Sequence, residues 1–176
     1  MKRVYNIELS KADIRDLQKG LREYREWVKK KTAELSRRLA EIGVERAELY
    51  FSQALYDGVN DVTVSKVSKG KNTWVVRANG ATVLFIEFGT GVHYPNAPLD
   101  DYLNAEGMVH GSYGRGLGNN DYWFYTGQPG NAGGELAHGH RNTTITHGNP
   151  ANMSMYNAVK DLEFALDQIV REVFST

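Results

Sequence analysis

Trp74-Val75-Val76-Arg77-Ala78-Asn79-Gly80-Ala81-Thr82-Val83-Leu84-Phe85-Ile86-Glu87-Phe88-Gly89 is the stretch whose reading decides the fold class. Asn79-Gly80 between Arg77-Ala78 and Ala81-Thr82 is a two-residue hairpin signal, because a type I′ turn needs positive φ at both central positions. Residues 82–88 are the most apolar run and are expected to form a third, central strand. Upstream, Val62 and Val64 alternate with polar residues in Asp61-Val62-Thr63-Val64-Ser65, and Lys69-Gly70-Lys71-Asn72 reads as the turn leading to Trp74-Val75-Val76.

Helical periodicity flanks this β-rich centre. Ile14, Leu21, Val28, Leu35 and Ile42 recur every seven residues, with Leu17, Tyr24 and Leu39 on the same face. Ser10-Lys11-Ala12-Asp13 reads as a capping box and Gly43 as a stop, which predicts a helix over residues 11–42, roughly 48 Å long at 1.5 Å per residue. Lys31 and Arg38 interrupt the second position of the heptad, against a continuous coiled coil. The outer face of this helix interleaves basic residues such as Arg15, Lys19, Arg22 and Arg25 with acids such as Asp16, Glu23 and Glu26. It is read as a solvated face, with docking to an acidic partner as the alternative. A second helix is expected over residues 44–56. A terminal helix follows Asn149-Pro150, with Met155, Val159, Leu162, Leu166, Ile169, Val170 and Val173 at helical spacing. The expected fold is therefore α+β: a small, mainly antiparallel sheet, long N-terminal and C-terminal helices packed on one face, and a long Gly-rich loop.

The chain has 176 residues with 21 basic and 21 acidic side chains. That length suits one domain over residues 1–176, with residues 89–148 as a loop insertion. Neutral net charge supplies no sequence-independent attraction to nucleic acid, and sequence-specific binding is not expected. With no cysteine, thiol catalysis, disulfides and thiolate metal sites are excluded. No apolar run approaches the roughly 20 residues of a membrane helix. Met1-Lys2-Arg3-Val4-Tyr5 leads into alternating polar residues, so no export signal is expected.

Between Gly89 and Gly148 the composition shifts, with 13 of the 18 glycines in that interval. The same segment carries Tyr94, Tyr102, Tyr113, Tyr122, Trp123, Phe124 and Tyr125, and Asp121-Tyr122-Trp123-Phe124-Tyr125 reads as a strand that anchors it. Long loops of this kind are usually functional or disordered. His138, His140 and His147, with His93 and His110, raise a histidine-metal hydrolase acting within residues 87–147 as the alternative function. They lack a helical ligand spacing or a supporting group, so neither a native metal nor a cofactor is expected. Glu87 beside Gly89-Thr90-Gly91 invites a general-base reading; capping or charge pairing by Glu87 is preferred because no phosphate-loop lysine or nucleophile motif accompanies it.

Three pieces together carry a family resemblance: Tyr56-Asp57-Gly58-Val59-Asn60-Asp61-Val62, Val83-Leu84-Phe85-Ile86-Glu87-Phe88-Gly89-Thr90-Gly91, and a last helix entered through Gly148-Asn149-Pro150-Ala151-Asn152. In that order they resemble the neck proteins of long-tailed bacteriophages and prophages, called tail-completion, head-tail joining or minor capsid proteins. The resemblance implies a non-enzymatic virion protein forming a homo-oligomeric, commonly hexameric ring. Its implied partners are the head-closure or connector proteins and the tail tube or tail terminator, in the virion neck and, during assembly, the host cytoplasm. Glu87, Phe88, Gly89, Thr90, Gly91, Tyr113, Tyr122, Trp123 and Tyr125 are the expected interface. The segment after Phe88 is expected to be the main subunit contact and to order on association.

Overall fold

The structure, a computed structural model, describes residues 10–90 and 122–175. Helix α1 spans Lys11–Ser52, β1 Thr63–Ser68, β2 Trp74–Asn79, α2 Val83–Phe88, β3 Trp123–Thr126, β4 Glu135–Leu136, β5 Thr143–Thr146 and α3 Ser154–Ser175. The architecture is α+β, with long helices at the two ends and two small antiparallel sheets. β1 and β2 form a hairpin in register Thr63↔Asn79 to Ser68↔Trp74. Its turn is closed by the Lys69 N–H on the Thr73 carbonyl at 2.8 Å. The second sheet has the order β3-β5-β4.

α1 begins where the capping box places it, with the Asp13 N–H on Ser10 Oγ at 3.1 Å. It packs on both hairpin strands, and α3 runs antiparallel beside it. Tyr50 meets Asp161 near one end of that pair, Arg38 meets Glu172, and Trp27 meets Phe174 edge-on at the other. Ala47, Phe51, Ala54, Val64, Ile86 and Ala158 form the buried core, drawn from α1, β1, α2 and α3 and from Ala54 just beyond α1.

Two sequence expectations are corrected here. Gly43 does not stop the first helix: α1 runs through it to Ser52, taking in most of the expected second helix, while residues 53–56 lie beyond its end. The glycine is there for close packing, since a Cβ would lie 3.2 Å from Leu162 Cδ1 and 3.3 Å from Val76 Cγ2. Residues 82–88 are not a central strand but carry the short helix α2, and Asn79-Gly80 ends β2 rather than turning a hairpin. The cause lies 20 residues upstream. Asp61 accepts the N–H groups of Ala81 and Thr82 at 2.8 and 3.0 Å and the Thr82 hydroxyl at 2.5 Å. Both amides lie just ahead of α2, so Asp61 pins the turn that leads into the helix, and α2 in turn buries Ile86 and Glu87. A six-residue apolar run is compatible with either structure, and a distant carboxylate decides it.

Candidate functional site

Two of the short motifs noted above converge on one junction, where α2 meets the entrance of α3. Thr90 and Asn149 exchange backbone bonds at 2.9 and 3.1 Å, and the Thr90 hydroxyl donates to Asn149 Oδ1 at 2.7 Å. The Asn149 amide also donates to the Phe85 carbonyl at 3.0 Å. One turn on, the Asn152 and Met153 N–H groups donate to the carbonyls of Ile86 and Glu87 at 2.9 and 3.1 Å. Gly89 has φ +72°, and a Cβ there would lie 2.5 Å from the Ala151 nitrogen, so only glycine lets the two backbones approach this closely.

Glu87 completes the junction. Its carboxylate accepts the Met155 N–H at 3.0 Å and the Tyr156 N–H at 3.2 Å, capping α3 from a distant segment. Burial holds this carboxyl above the usual glutamate range, against the opposing pull of the Met155, Tyr156 and Ser154 N–H groups. Its acceptor oxygens face helix amides, so its position is that of a structural cap.

A second latch ties the β3-β5-β4 sheet to the rest. Asp57, 7% exposed, accepts the Thr146 hydroxyl at 2.6 Å and the Gly134 N–H at 2.9 Å. Asn131 accepts the Tyr56 N–H at 2.7 Å and returns its own N–H to the Tyr56 carbonyl at 3.0 Å. Residues 122–148 thus pair with one another and pack against the rest of the chain. Between the latch and the junction lies a cleft of about 370 Å³ whose lining includes Tyr56, Asp57, Phe85, Thr90, Tyr125 and Thr146. Its buried polar groups bond to one another, Thr90 to Asn149 and Thr146 to Asp57.

The outer face of the sheet sets exposed aromatic side chains beside Glu135 and His147. Phe124 pairs with Ile145 across β3 and β5, so the two side chains share a face, and Tyr122 and His147 continue it. Tyr122 meets Phe124 at 5.7 Å and His147 at 6.2 Å. Phe124 is 57% exposed and Tyr122 38%. Together with Glu135 and Gly133 they border a groove of about 330 Å³.

Of the expected interface residues, the structure buries Glu87, Gly89 and Thr90 in the junction and leaves Phe88 half-buried. Tyr122 lies on the open sheet face, whereas Tyr125 is on the opposite face with its hydroxyl on the Gln128 carbonyl at 2.9 Å. Trp123 sits in β3. Gly91 and Tyr113 lie outside the described residues, as do His93 and His110. His138 and His140 are exposed beside a turn, and among the described residues no three potential ligands cluster. Also among them, no helix is long and apolar enough to cross a membrane. Sequence reasoning passed over Phe124 as a surface residue, although strand alternation sets it on the face of Tyr122. It also gave no role to Asp57 or Asn149, whose burial no local pattern signals. Comparison of the chain with protein-family models, with characterised proteins and with solved structures returns no match.

Proposed function

We propose that this chain is a non-enzymatic assembly protein, forming a homo-oligomeric ring, six-fold in the simplest form, at the head-tail junction of a tailed phage or prophage. The observation that carries the reading is the contrast between its polar interior and its outer sheet face. Glu87, Asp57, Thr90, Thr146 and Asn149 all bond within the chain, while Tyr122 and Phe124 stand open beside a groove. Exposed aromatics of this kind are typical anchors of protein interfaces. The resemblance of the 83–91 and 148–152 segments to neck proteins supplies the place in the virion, and the partners there are the connector or head-closure protein and the tail tube or tail terminator. Closed rings of more than two copies need two different contacting surfaces on each subunit, and the sheet face supplies one of them.

The test combines native mass with substitution. The unmodified protein is expected to sediment as a ring without bound metal. Tyr122→Ser with Phe124→Ser is expected to abolish that ring while the helical dichroism, dominated by α1 and α3, stays intact. A metal-bearing monomer with hydrolytic activity would refute the reading.

A further inference from the structure

α1 is much longer than its partner helix. α3 ends beside Trp27, so residues 11–26 extend past it by roughly 24 Å at 1.5 Å per residue. Those residues are exposed or half-buried throughout. Yet they carry an apolar stripe, Ile14, Leu17, Leu21, Tyr24 and then Val28, at strict heptad spacing. Ile14 is 42%, Leu21 51% and Tyr24 39% exposed.

The charges beside that stripe are sorted by side. With successive residues turned by about 100° around the axis, one flank carries Arg25, Gln18, Lys11, Arg22 and Arg15 in order away from the seam. The other carries Asp13, Gly20, Trp27, Asp16 and Glu23. Within about 140° of the seam neither flank contains a charge of the other sign, although in sequence the two signs alternate; Lys19 and Glu26 face away from it. Among the described residues Lys11, Arg15, Arg22 and Arg25 form no salt bridge, and neither do Asp16 and Glu23.

This sorting identifies the occupant and its direction. An antiparallel copy would lay basic flank on basic flank and acidic on acidic. A parallel copy lays the acidic flank of one helix on the basic flank of the next. A partner of uniform charge would satisfy one flank and repel the other. We infer that residues 11–28 of α1 form a parallel seam with the same residues of a second copy, apolar stripe inward and opposite flanks in contact. Gly20, on the acidic flank, removes a side chain where the neighbouring helix approaches. The inference rests on the self-association in the reading above and is independent of the virion assignment.

The experiment uses the full chain and sedimentation over a concentration series. Arg15→Glu, Arg22→Glu and Arg25→Glu together, or Asp16→Lys and Glu23→Lys together, are each expected to weaken self-association by about tenfold or more through like-charge contact. Combining all five substitutions in one chain, which reverses every flank charge except Lys11 and Asp13, is expected to restore most of it. Because the chain has no cysteine, direction is read separately by disulfide formation. Gly20→Cys on one chain is expected to couple with Arg25→Cys on another. Unchanged association of the flank-reversed chains, an unmodified protein that stays monomeric, or efficient coupling of Gly20→Cys to itself would each overturn the seam. Self-association with the seam intact but no effect of the protein on head-tail joining would instead refute the neck assignment alone.

Discussion

Replacing Glu87 by alanine tests whether this buried carboxyl is a structural cap. The substitution leaves the Met155 and Tyr156 N–H groups, now bonded at 3.0 and 3.2 Å, without their acceptor. Losing a cap costs about 0.5–2 kcal/mol, and a buried donor left unsatisfied costs about 1–3 kcal/mol. Both sites are partly reached by water, and removing the carboxylate also removes its own desolvation, which already raises its pKa. The net expectation is a loss of about 2 kcal/mol at neutral pH, or about 4–8 °C in Tm for a chain of this size. Urea denaturation followed by circular dichroism, at one fixed protein concentration because association shifts apparent stability, measures it. Glu87→Gln keeps one acceptor oxygen and is expected to lose about half as much. A Glu87→Ala protein within about 0.5 kcal/mol of the parent would refute the capping role.

Gly89→Ala forces a side chain into a φ +72° position and against the Ala151 nitrogen, and is expected to cost more than about 2 kcal/mol in the same denaturation assay. Asp57→Ala removes the acceptor of Thr146 and Gly134; amide exchange is expected to accelerate across β4 and β5 while α1 and α3 keep their protection. The two perturbed carboxyls have opposite pH signs. Glu87, raised above its usual 4.5, contributes stability that is full below that value and is lost as pH rises through the folded value, so the parent gains on Glu87→Gln as pH falls. Asp61, held below its usual 3.8 by Thr82 and Ala81, contributes stability that is present above 3.8 and lost as pH falls through the folded value, so the parent loses its advantage over Asp61→Asn in acid. Denaturation of each pair across a pH series checks both directions.

The long helices were legible because their signal is repeated many times. Heptad spacing from Ile14 to Ile42 and the Ser10 cap mark α1, and the α3 pattern extends from Met155 to Val173. What local pattern does not carry is tertiary cause. Gly43 resembles a helix stop in isolation and is tolerated mid-helix because Leu162 and Val76 crowd it. Val83-Leu84-Phe85-Ile86 resembles a strand and is instead helical, entered through a turn at Ala81-Thr82 that Asp61, far upstream, holds. The same limit applies to the site. The capping preference for Glu87 followed from missing catalytic companions, but its partner amides at the start of α3 are 68 and 69 residues away. Asp57 and Asn149 sit in Gly- and Pro-bordered segments that read as loops, and only the folded contacts show them buried. The charge sorting on α1 was present in the sequence and hidden by its linear interleaving.

Particle imaging tests the neck assignment most directly. Virions assembled in a host carrying the intact phage or prophage genome are compared with those from a genome in which this chain alone is deleted. The account predicts full heads and finished tails lying separate in the deletion, with joined particles restored by the chain supplied in trans. Normal numbers of joined, infectious particles without the chain would contradict it.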